Sequence, residues 1–317
     1  MIGIIAILIA FVLDLCIGDP YSWPHPVKAI GHYITLFLKL KEKWKINPYI
    51  IGIILWLTTV GLTVGISALV LHIGATVHPI LYWILWVYMA YTSLATRSLA
   101  YEAKKVYQKL TQGTLDEART QVGMIVGRET AQLSKEEICK ATIETVAENA
   151  SDGVIGPLMC LFIGGPILAM GYKAINTLDS MVGYKHERYY KIGFTSAKID
   201  DIVNLVPARV TFVMLLLATH VLQYDVKQVA RLAWRDRYNH ASPNSAFPES
   251  VVAAALRIQL GGVHVYHGEL VEKQTIGDNS RQVDTIDIMH TVTMLYIATC
   301  LSVILGSIVS LVIHTIQ

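Results

Sequence analysis

The fold is decided by an uncharged run of 24 residues, Tyr49 to His72, which is YIIGIILWLTTVGLTVGISALVLH. A second uncharged run of 24 residues extends from His290 to Ile313. A helix of this length reaches about 36 Å, enough to cross the roughly 30 Å hydrocarbon core of a bilayer with some tilt. We therefore predict an all-α fold, that of a polytopic helical membrane protein.

The composition agrees with a membrane-embedded chain. Of its 317 residues, 53% are hydrophobic and 16% are charged, against about 25% charged in ordinary soluble domains. Lys and Arg number 26 and Asp and Glu 24, so there is no excess of positive charge to attract nucleic acid, and no nucleic-acid partner is expected. The 4 cysteines show no CxxC spacing and indicate neither a disulfide framework nor a zinc site.

Four further apolar segments are less regular. Ile2 to Gly18 is a candidate span with Asp14 inside it, and Pro79 to Ala95 is short and rich in aromatic residues. Glycine and proline interrupt 154–175, and a proline and an arginine interrupt 202–222. Because lipid cannot satisfy backbone groups that are freed from a helix, we expect these two segments to be re-entrant, to lie at the interface, or to span behind other helices.

Positive charge predicts the orientation. Lysines are frequent between residues 28 and 45, whereas the loop 73–78 has no Lys or Arg. The positive-inside rule places the first of these loops and the polar block 96–153 in the cytoplasm. The basic stretch 173–198 would lie outside if 154–175 crossed the membrane, which favours a non-spanning segment. We expect a multi-pass cell-membrane protein with its active site on the cytoplasmic side.

The chain is predicted to form one membrane domain over residues 1–317, with the polar block 96–153 and a polar loop 223–289 within it. Between the spans the pattern is helical, and no strand alternation of useful length is evident.

Local signals mark the ends of two helices in these polar regions. A Ser134-x-x-Glu137 capping box predicts a helix that runs to about Asn149. Residues 239–248 have the composition of a turn, and 251–260 is predicted to be helical until Gly261-Gly262 ends it.

The first candidate site is acidic. Glu144 and Glu148 are four residues apart and share a helix face, and Asp152 would join them if the helix ran one more turn. Like charges at this spacing destabilise a helix unless a counter-ion binds them. An ordinary solvated acidic face is the alternative, but these acids adjoin an apolar segment, where an idle charge is costly.

Other polar clusters flank the interrupted segments. Each has an ordinary alternative, such as a turn, the start of a helix or an ordered surface loop. The members of these clusters are Asp19 and His25; Asn176 and Asp179; Asp200, Asp201, Asn204 and Arg209; and Asp236, Arg237, His240, Asn244, Ser245 and Glu249. The stretch Gly123 to Thr130 only superficially resembles a nucleotide-binding P-loop, and it follows no strand.

Acidic and basic groups beside membrane segments suit a phosphate-bearing substrate with Mg²⁺, because carboxylates hold the ion and Arg or Lys hold the phosphates. The same residues are compatible with an ion-coupled transporter, whose sites lie at broken helices. A transporter would be expected to carry acids within its long spans. Tyr49 to His72 and His290 to Ile313 contain none, which weakens that alternative.

Several motifs, in this order, resemble the CobD/CbiB family over nearly the whole chain. They are LDLCIGDP-x(3)-PHPVKAIG at 13–31, ETVAENASDGVIGP at 144–157, YKAINTLDSMVGY at 172–184, KIDDIVNLVPAR at 198–209, and DRYNHASPNSAFPES at 236–250 followed by QLGG at 259–262. AmpE-like membrane signalling proteins are a related branch, and the intact acidic motifs favour the enzyme.

The resemblance implies an adenosylcobinamide-phosphate synthase of cobalamin biosynthesis. Such an enzyme joins (R)-1-amino-2-propanol O-phosphate, or free aminopropanol, to the f propionate carboxylate of adenosylcobyric acid through an amide. It implies ATP as co-substrate and Mg²⁺ as cofactor. The expected partners are these small molecules and the lipid bilayer, with a second copy of the chain or other cobalamin-pathway membrane enzymes as candidate protein partners. A non-enzymatic corrinoid transporter remains the alternative.

The resemblance supports the motifs, and we assign roles within them as hypotheses. Glu144, Glu148, Asp152, Asp200 and Asp201 are candidate Mg²⁺ ligands and catalytic residues, and His240 and Glu249 are candidate bases. The candidate substrate-binding residues are Asp19, His25, Asn149, Asn176, Asp179, Asn204, Arg209, Asp236, Arg237, Asn244 and Ser245.

Overall fold

A computed structural model describes residues 1–41, 44–183, 190–266 and 269–316. The chain is mostly helical, as predicted. The α-helices are α1 (Ile2–Ile17), α2 (Pro26–Leu40), α3 (Pro48–Val77), α4 (Pro79–Ser93), α5 (Thr96–Gln112), α6 (Leu115–Val122), α7 (Lys135–Asn149), α8 (Gly156–Val182), α9 (Tyr190–Val203), α10 (Leu205–Val221), α11 (Val226–Asp236), α12 (Ala246–Leu256) and α13 (Ile286–Ile316). Two strands, β1 (Leu260–Tyr266) and β2 (Glu269–Ile276), precede α13.

The chain divides into two compact units, each assembled from separate stretches. Unit 1 comprises Met1–Ala95, Gly156–Asn204 and Leu305–Gln317. Unit 2 comprises Thr96–Ile155 and Leu205–Ile304. Unit 1 therefore contains α1–α4, α8 and α9, whereas unit 2 contains α5–α7, α10–α12, both strands and the first part of α13.

Three stretches in the described part of the chain are long and apolar enough to cross a membrane: Pro48–Val77, Lys135–Val182 and Ile286–Ile316. The bent pair α9 and α10 becomes a fourth if the two helices count as one span. Both uncharged runs predicted to span lie inside such helices. The predicted membrane class is therefore confirmed.

Two shorter segments fall below this length. Helix α1 has 16 residues and α4 has 15, so each reaches only about 24 Å, less than a hydrocarbon core. Ile2 to Gly18 therefore stays a candidate span, on a helix shorter than the three above.

Both interrupted apolar segments are broken where their sequences predicted. In α8, Gly165 has a φ of 67°, directly before Pro166, and Asn204 separates α9 from α10. A proline cannot donate a helical hydrogen bond, which explains the first break. Positive charge favoured a segment 154–175 that does not cross the membrane. This segment nevertheless lies within Lys135–Val182, which is long and apolar enough to cross one.

Close backbone approaches hold unit 1 together. A Cβ atom on Gly52 of α3 would lie 2.2 Å from the carbonyl oxygen of Ile192 in α9. A Cβ atom on Gly193 would lie 1.7 Å from the carbonyl oxygen of Val182 in α8. Small residues at such crossings are typical of helices that pack in membranes, where dispersion contacts drive association.

Helix α12 is the centre of unit 2, and all of its residues are buried. It contacts α7, α10 and α11. The sequence placed its limits wrongly, because α12 begins at Ala246 within the predicted turn and ends at Leu256. Arg257 ends it in the left-handed conformation, with a φ of 56°.

The antiparallel hairpin of β1 and β2 was not predicted. Gly261 and Gly262, which were expected to end a helix, instead form an irregularity in β1. Their φ angles of 76° and 99° are conformations that glycine adopts without strain.

Helix α7 begins at the predicted capping box, with Ser134 and Glu137 each bonding the other's backbone. It ends at Asn149 as predicted, but residues Ala150–Ile155 continue as a π-helix. A π-helical turn is wider than an α-helical one, so Asp152 does not extend the face that carries Glu144 and Glu148.

Candidate active site

Unit 2 contains a cavity of about 130 Å³ in which acidic and basic side chains meet. Glu144 and Glu148 reach it from α7, and Glu249 reaches it from the first turn of α12. Arg128 and Lys273 contribute the positive charges. The other lining residues are Ile125, Val126, Gly127, Ala141, Thr145 and Asn149.

Glu144 is fixed from two sides. One carboxylate oxygen lies 3.1 Å from the guanidinium of Arg128, and the other accepts a 2.9 Å hydrogen bond from the backbone N–H of Gly261 in β1. The ion pair is shielded, since the side chain of Arg128 is 3% exposed and that of Glu144 is 11% exposed. Glu144 thus connects α7 to the loop that carries Arg128 and to the hairpin.

Glu148 connects α7 to the start of α12. Its carboxylate accepts a 2.7 Å hydrogen bond from the hydroxyl of Ser245. The neighbouring Asn244 accepts a 2.8 Å hydrogen bond from Arg209, whose guanidinium lies 4.1 Å from the centre of the Phe247 ring. Two predicted residues from distant parts of the chain, Glu148 and Arg209, therefore contact the adjacent predicted residues Ser245 and Asn244.

Glu249 and His240 have perturbed acid–base properties. Burial raises the pKa of Glu249 well above its ordinary value, and the charges of Glu144 and Glu148 raise it further, against Lys273 and Arg128. Burial lowers the pKa of His240 in spite of the nearby carboxylates of Glu148 and Glu144. Displaced pKa values of this kind are typical of groups that transfer protons in active sites.

The His240 imidazole has a defined tautomer. Its Nδ1 accepts a 3.0 Å hydrogen bond from the backbone N–H of Ser242. In the neutral ring, Nε2 therefore carries the proton.

Two other predicted residues lie at the end of α7 and in the π-helix that follows it. Asn149 lines the cavity, but its side-chain amide donates a 2.9 Å hydrogen bond to the carbonyl of Thr145. Asp152 lies in the π-helix and does not line the cavity.

Asp236 and Arg237 have structural contacts. Arg235 binds both carboxylate oxygens of Asp236 at 2.7 and 2.8 Å, and the Gly277 N–H donates to the same carboxylate at 2.8 Å. Burial alone would raise the pKa of Asp236, but these hydrogen bonds outweigh it and hold the pKa below its ordinary value. Arg237 stacks on Trp234 at 3.7 Å.

We expect Asp236→Ala to lower the free energy of unfolding by about 1–3 kcal/mol, because the Gly277 N–H loses its acceptor. Asp278→Ala is the matched control, since it removes a 46% exposed partner of the same Arg235 and should cost less than about 1 kcal/mol. Thermal unfolding in detergent measures both. Because the folded-state pKa is depressed, the difference between wild type and Asp236→Ala should shrink as the pH falls below about 4. Equal melting temperatures at neutral pH would contradict this role.

The remaining predicted residues lie in unit 1. Asn204, between α9 and α10, accepts a short hydrogen bond from the Tyr172 hydroxyl and donates to Asp200 at 2.9 Å. Asp200 and Asp201 lie in the last turn of α9, not at the start of a helix. Asp201 is 3.6 Å from Lys198. Acids are disfavoured at a helix C-terminus, so their position has no explanation in local helix stability.

Two other predicted pairs in unit 1 have local roles. Asn176 and Asp179 lie within α8 rather than in a turn, which corrects the alternative of an Asx turn. His25 accepts a 3.3 Å hydrogen bond from Val27 N–H at the start of α2, and its other ring nitrogen lies 3.1 Å from Asp19. This pair fixes the connection between α1 and α2.

Arg128 and Lys273 line the cavity but were not among the predicted site residues. Arg128 lies in the stretch that was set aside as a false P-loop, and Lys273 lies in the hairpin that was not predicted. Neither residue has a local signal, because only long-range packing brings them to the acids of α7.

The described residues contain no group of three His, Cys, Asp or Glu side chains that could hold a metal ion. Mg²⁺ does not require such a cage, because it takes one or two carboxylates and completes its shell with water and substrate phosphates. Glu144 is already engaged by Arg128 and Gly261, so Glu148 is the better ligand in the cavity. The residues fit a Mg²⁺ ion that arrives with a phosphate.

Fold and cavity together define a helical membrane protein with a small cavity of mixed charge in unit 2. A family model described as CobD/Cbib protein matches residues 7–295. Cobalamin biosynthesis protein CobD of Streptococcus sanguinis is 63% identical over 98% of both chains. CobD of Listeria monocytogenes is 51% identical over 93% of this chain and 95% of its own. Cobalamin biosynthesis protein CbiB of Salmonella typhimurium is 45% identical over 95% of this chain and 96% of its own.

No solved structure matches the chain. The family model and these identities show that the chain belongs to the CobD/CbiB family of cobalamin biosynthesis proteins.

Proposed function

We propose that this protein forms the amide bond between the f propionate carboxylate of adenosylcobyric acid and (R)-1-amino-2-propanol O-phosphate. The product is adenosylcobinamide phosphate. Family membership supports the pathway. The observation that carries the proposal is the cavity of unit 2, where three carboxyl groups and two cations meet. The charges of Glu148, Glu144 and Lys273 also act on His240, whose pKa is lowered by burial. The charge pattern of the sequence supports a cytoplasmic reaction, where ATP is available.

The reaction needs an activated carboxylate, because an amine cannot displace oxide from one. Transfer of the γ-phosphoryl group of ATP to the carboxylate gives an acyl phosphate and ADP. The amine nitrogen then attacks the carbonyl carbon, the C–N bond forms, and the C–O bond to phosphate breaks. Inorganic phosphate leaves and the nitrogen loses a proton, so the atoms and charges balance.

His240 and Glu249 are the groups that hold this proton. The low pKa of His240 keeps its imidazole neutral, and a neutral imidazole accepts a proton. The raised pKa of Glu249 makes its carboxylate a stronger base than an ordinary one. The substrate ammonium must lose a proton before its nitrogen can attack, and of the two groups a Glu249 carboxylate is the one whose shifted pKa favours taking it.

Mg²⁺, when bound with a substrate phosphate, would neutralise charge on the transferring phosphoryl group. Glu148 would hold it in unit 2. Asp200 and Asp201 of unit 1 remain further candidate ligands. Arg209, positioned by Asn244 and Phe247, is the candidate phosphate contact next to Glu148.

A corrinoid transporter is the second candidate, favoured by the buried Tyr172–Asn204–Asp200 network at a broken helix. The two functions can be distinguished by expressing this protein in a bacterium that makes adenosylcobyric acid but lacks its own CobD/CbiB protein. An enzyme restores cobalamin-dependent growth without added cobinamide. Growth that needs cobinamide whether or not the chain is expressed would exclude the enzymatic proposal.

A further inference from the structure

Arg128 and Lys273 are the two positive groups of the unit 2 cavity, and none of the roles assigned above uses them. Arg128 follows Ile125, Val126 and Gly127 in the chain, and these three residues also line the cavity. Lys273 reaches the cavity from β2. Both charges act on the carboxyl group of Glu249, and Lys273 also acts on His240. The two cations thus line the same cavity as Glu249, one of the two candidate bases.

The chemistry of this pair matches a phosphate group. A guanidinium presents five N–H donors in a planar fork that suits phosphate oxygens, and it can serve Glu144 and a phosphate together. An ammonium adds a compact point charge. Shielding from water strengthens both interactions, and the side chain of Arg128 is only 3% exposed.

The size of the cavity limits the ligand. Its volume of about 130 Å³ is well below the roughly 300–1,000 Å³ of sites for drug-sized ligands. It therefore suits a molecule, or one end of a molecule, with a few non-hydrogen atoms. Carboxylates and cations line the same small space, so the complementary ligand carries both an ammonium and a phosphate.

We propose that Arg128 and Lys273 bind the phosphate of the aminoalcohol phosphate, while Glu249 and His240 face its ammonium. The inference rests on the proposed function and deepens it, because it names which substrate occupies this cavity. The two cations then act as specificity residues that select the phosphorylated aminoalcohol over the free one.

The test measures initial rates of the purified full-length protein against aminopropanol phosphate and free aminopropanol. Arg128→Gln and Lys273→Gln should each raise KM for the phosphorylated substrate by about 10–100-fold, since each removes a charge-assisted hydrogen bond. KM for free aminopropanol should stay within about twofold. Lys227→Gln is the control, because it neutralises an exposed lysine of unit 2 that lies on α11. An equal rise for both substrates, or no rise, overturns the proposal.

Calorimetric binding of aminopropanol phosphate, without ATP or corrinoid, separates this inference from the proposed function. Wild type should bind the phosphorylated molecule at least about 10-fold more tightly than free aminopropanol, and Lys273→Gln should reduce the difference. That result supports the cavity assignment even if no amide forms. Equal affinities for the two molecules in wild type overturn it. Lys273→Gln also covers the case in which Arg128→Gln fails to fold, because Lys273 is not fully buried.

Discussion

Glu148→Gln should lower the turnover number for amide formation by about 10²–10⁴-fold, the range typical of a lost acid–base or electrostatic contribution. The substitution removes the negative charge at the cavity but keeps an oxygen that can accept the 2.7 Å hydrogen bond from Ser245. The protein should therefore fold normally, and its melting temperature should stay close to that of wild type. Product formation at saturating substrates, followed by mass spectrometry, gives the turnover number.

Glu136→Gln is the matched control for this variant. It neutralises a carboxylate on the same helix, but Glu136 is 41% exposed and pairs only with Lys140 four residues later. Such a surface pair contributes about 0.3–0.5 kcal/mol, so activity and melting temperature should barely change. Full activity of Glu148→Gln, or an equal loss in both variants, would remove Glu148 from the reaction.

Gly52→Ala should have the largest effect on stability among single-methyl additions to α3. The new methyl carbon would lie 2.2 Å from the carbonyl oxygen of Ile192, whereas real Cβ atoms essentially never approach another heavy atom within 3.0 Å. Helices α3 and α9 must then separate, and overpacking of this kind costs about 1–3 kcal/mol. The measurement is thermal unfolding in detergent, in which the variant should melt several degrees below wild type.

Gly61→Ala, on the same helix, supplies the comparison. A Cβ atom at Gly61 has no neighbour within 4 Å, so this methyl group meets open space. Its melting temperature should equal or slightly exceed that of wild type, because alanine favours a helix over glycine. Equal melting temperatures for Gly52→Ala and Gly61→Ala would contradict the close packing of α3 against α9.

Features set by local pattern could be predicted from the sequence. Uncharged runs of 24 residues predicted α3 and α13, and the capping box fixed the start of α7 at Lys135. The spacing of Glu144 and Glu148 placed both acids on one face, and the structure brings both to one cavity. In each case a short stretch of chain determines the outcome.

Features that depend on distant partners could not be predicted. Ser245 meets Glu148 across 97 residues, and Gly261 meets Glu144 across 117. Lys273 reaches the cavity from the hairpin of β1 and β2. Gly261 and Gly262 of that hairpin were predicted to end a helix. Asp236 was interpreted as a substrate contact because its motif is rich in polar groups. Its contacts with Arg235 and Gly277 depend on residues that its own motif does not contain.

We propose above that this protein, without a partner protein, joins adenosylcobyric acid to aminopropanol phosphate. The most direct measurement is incubation of the purified protein with adenosylcobyric acid, aminopropanol phosphate, ATP and Mg²⁺, followed by mass spectrometry. We expect a product with the mass of adenosylcobinamide phosphate, formed together with ADP and phosphate. No such product should form when ATP is omitted. Bound corrinoid that is recovered unchanged, with no ATP consumed, would contradict it.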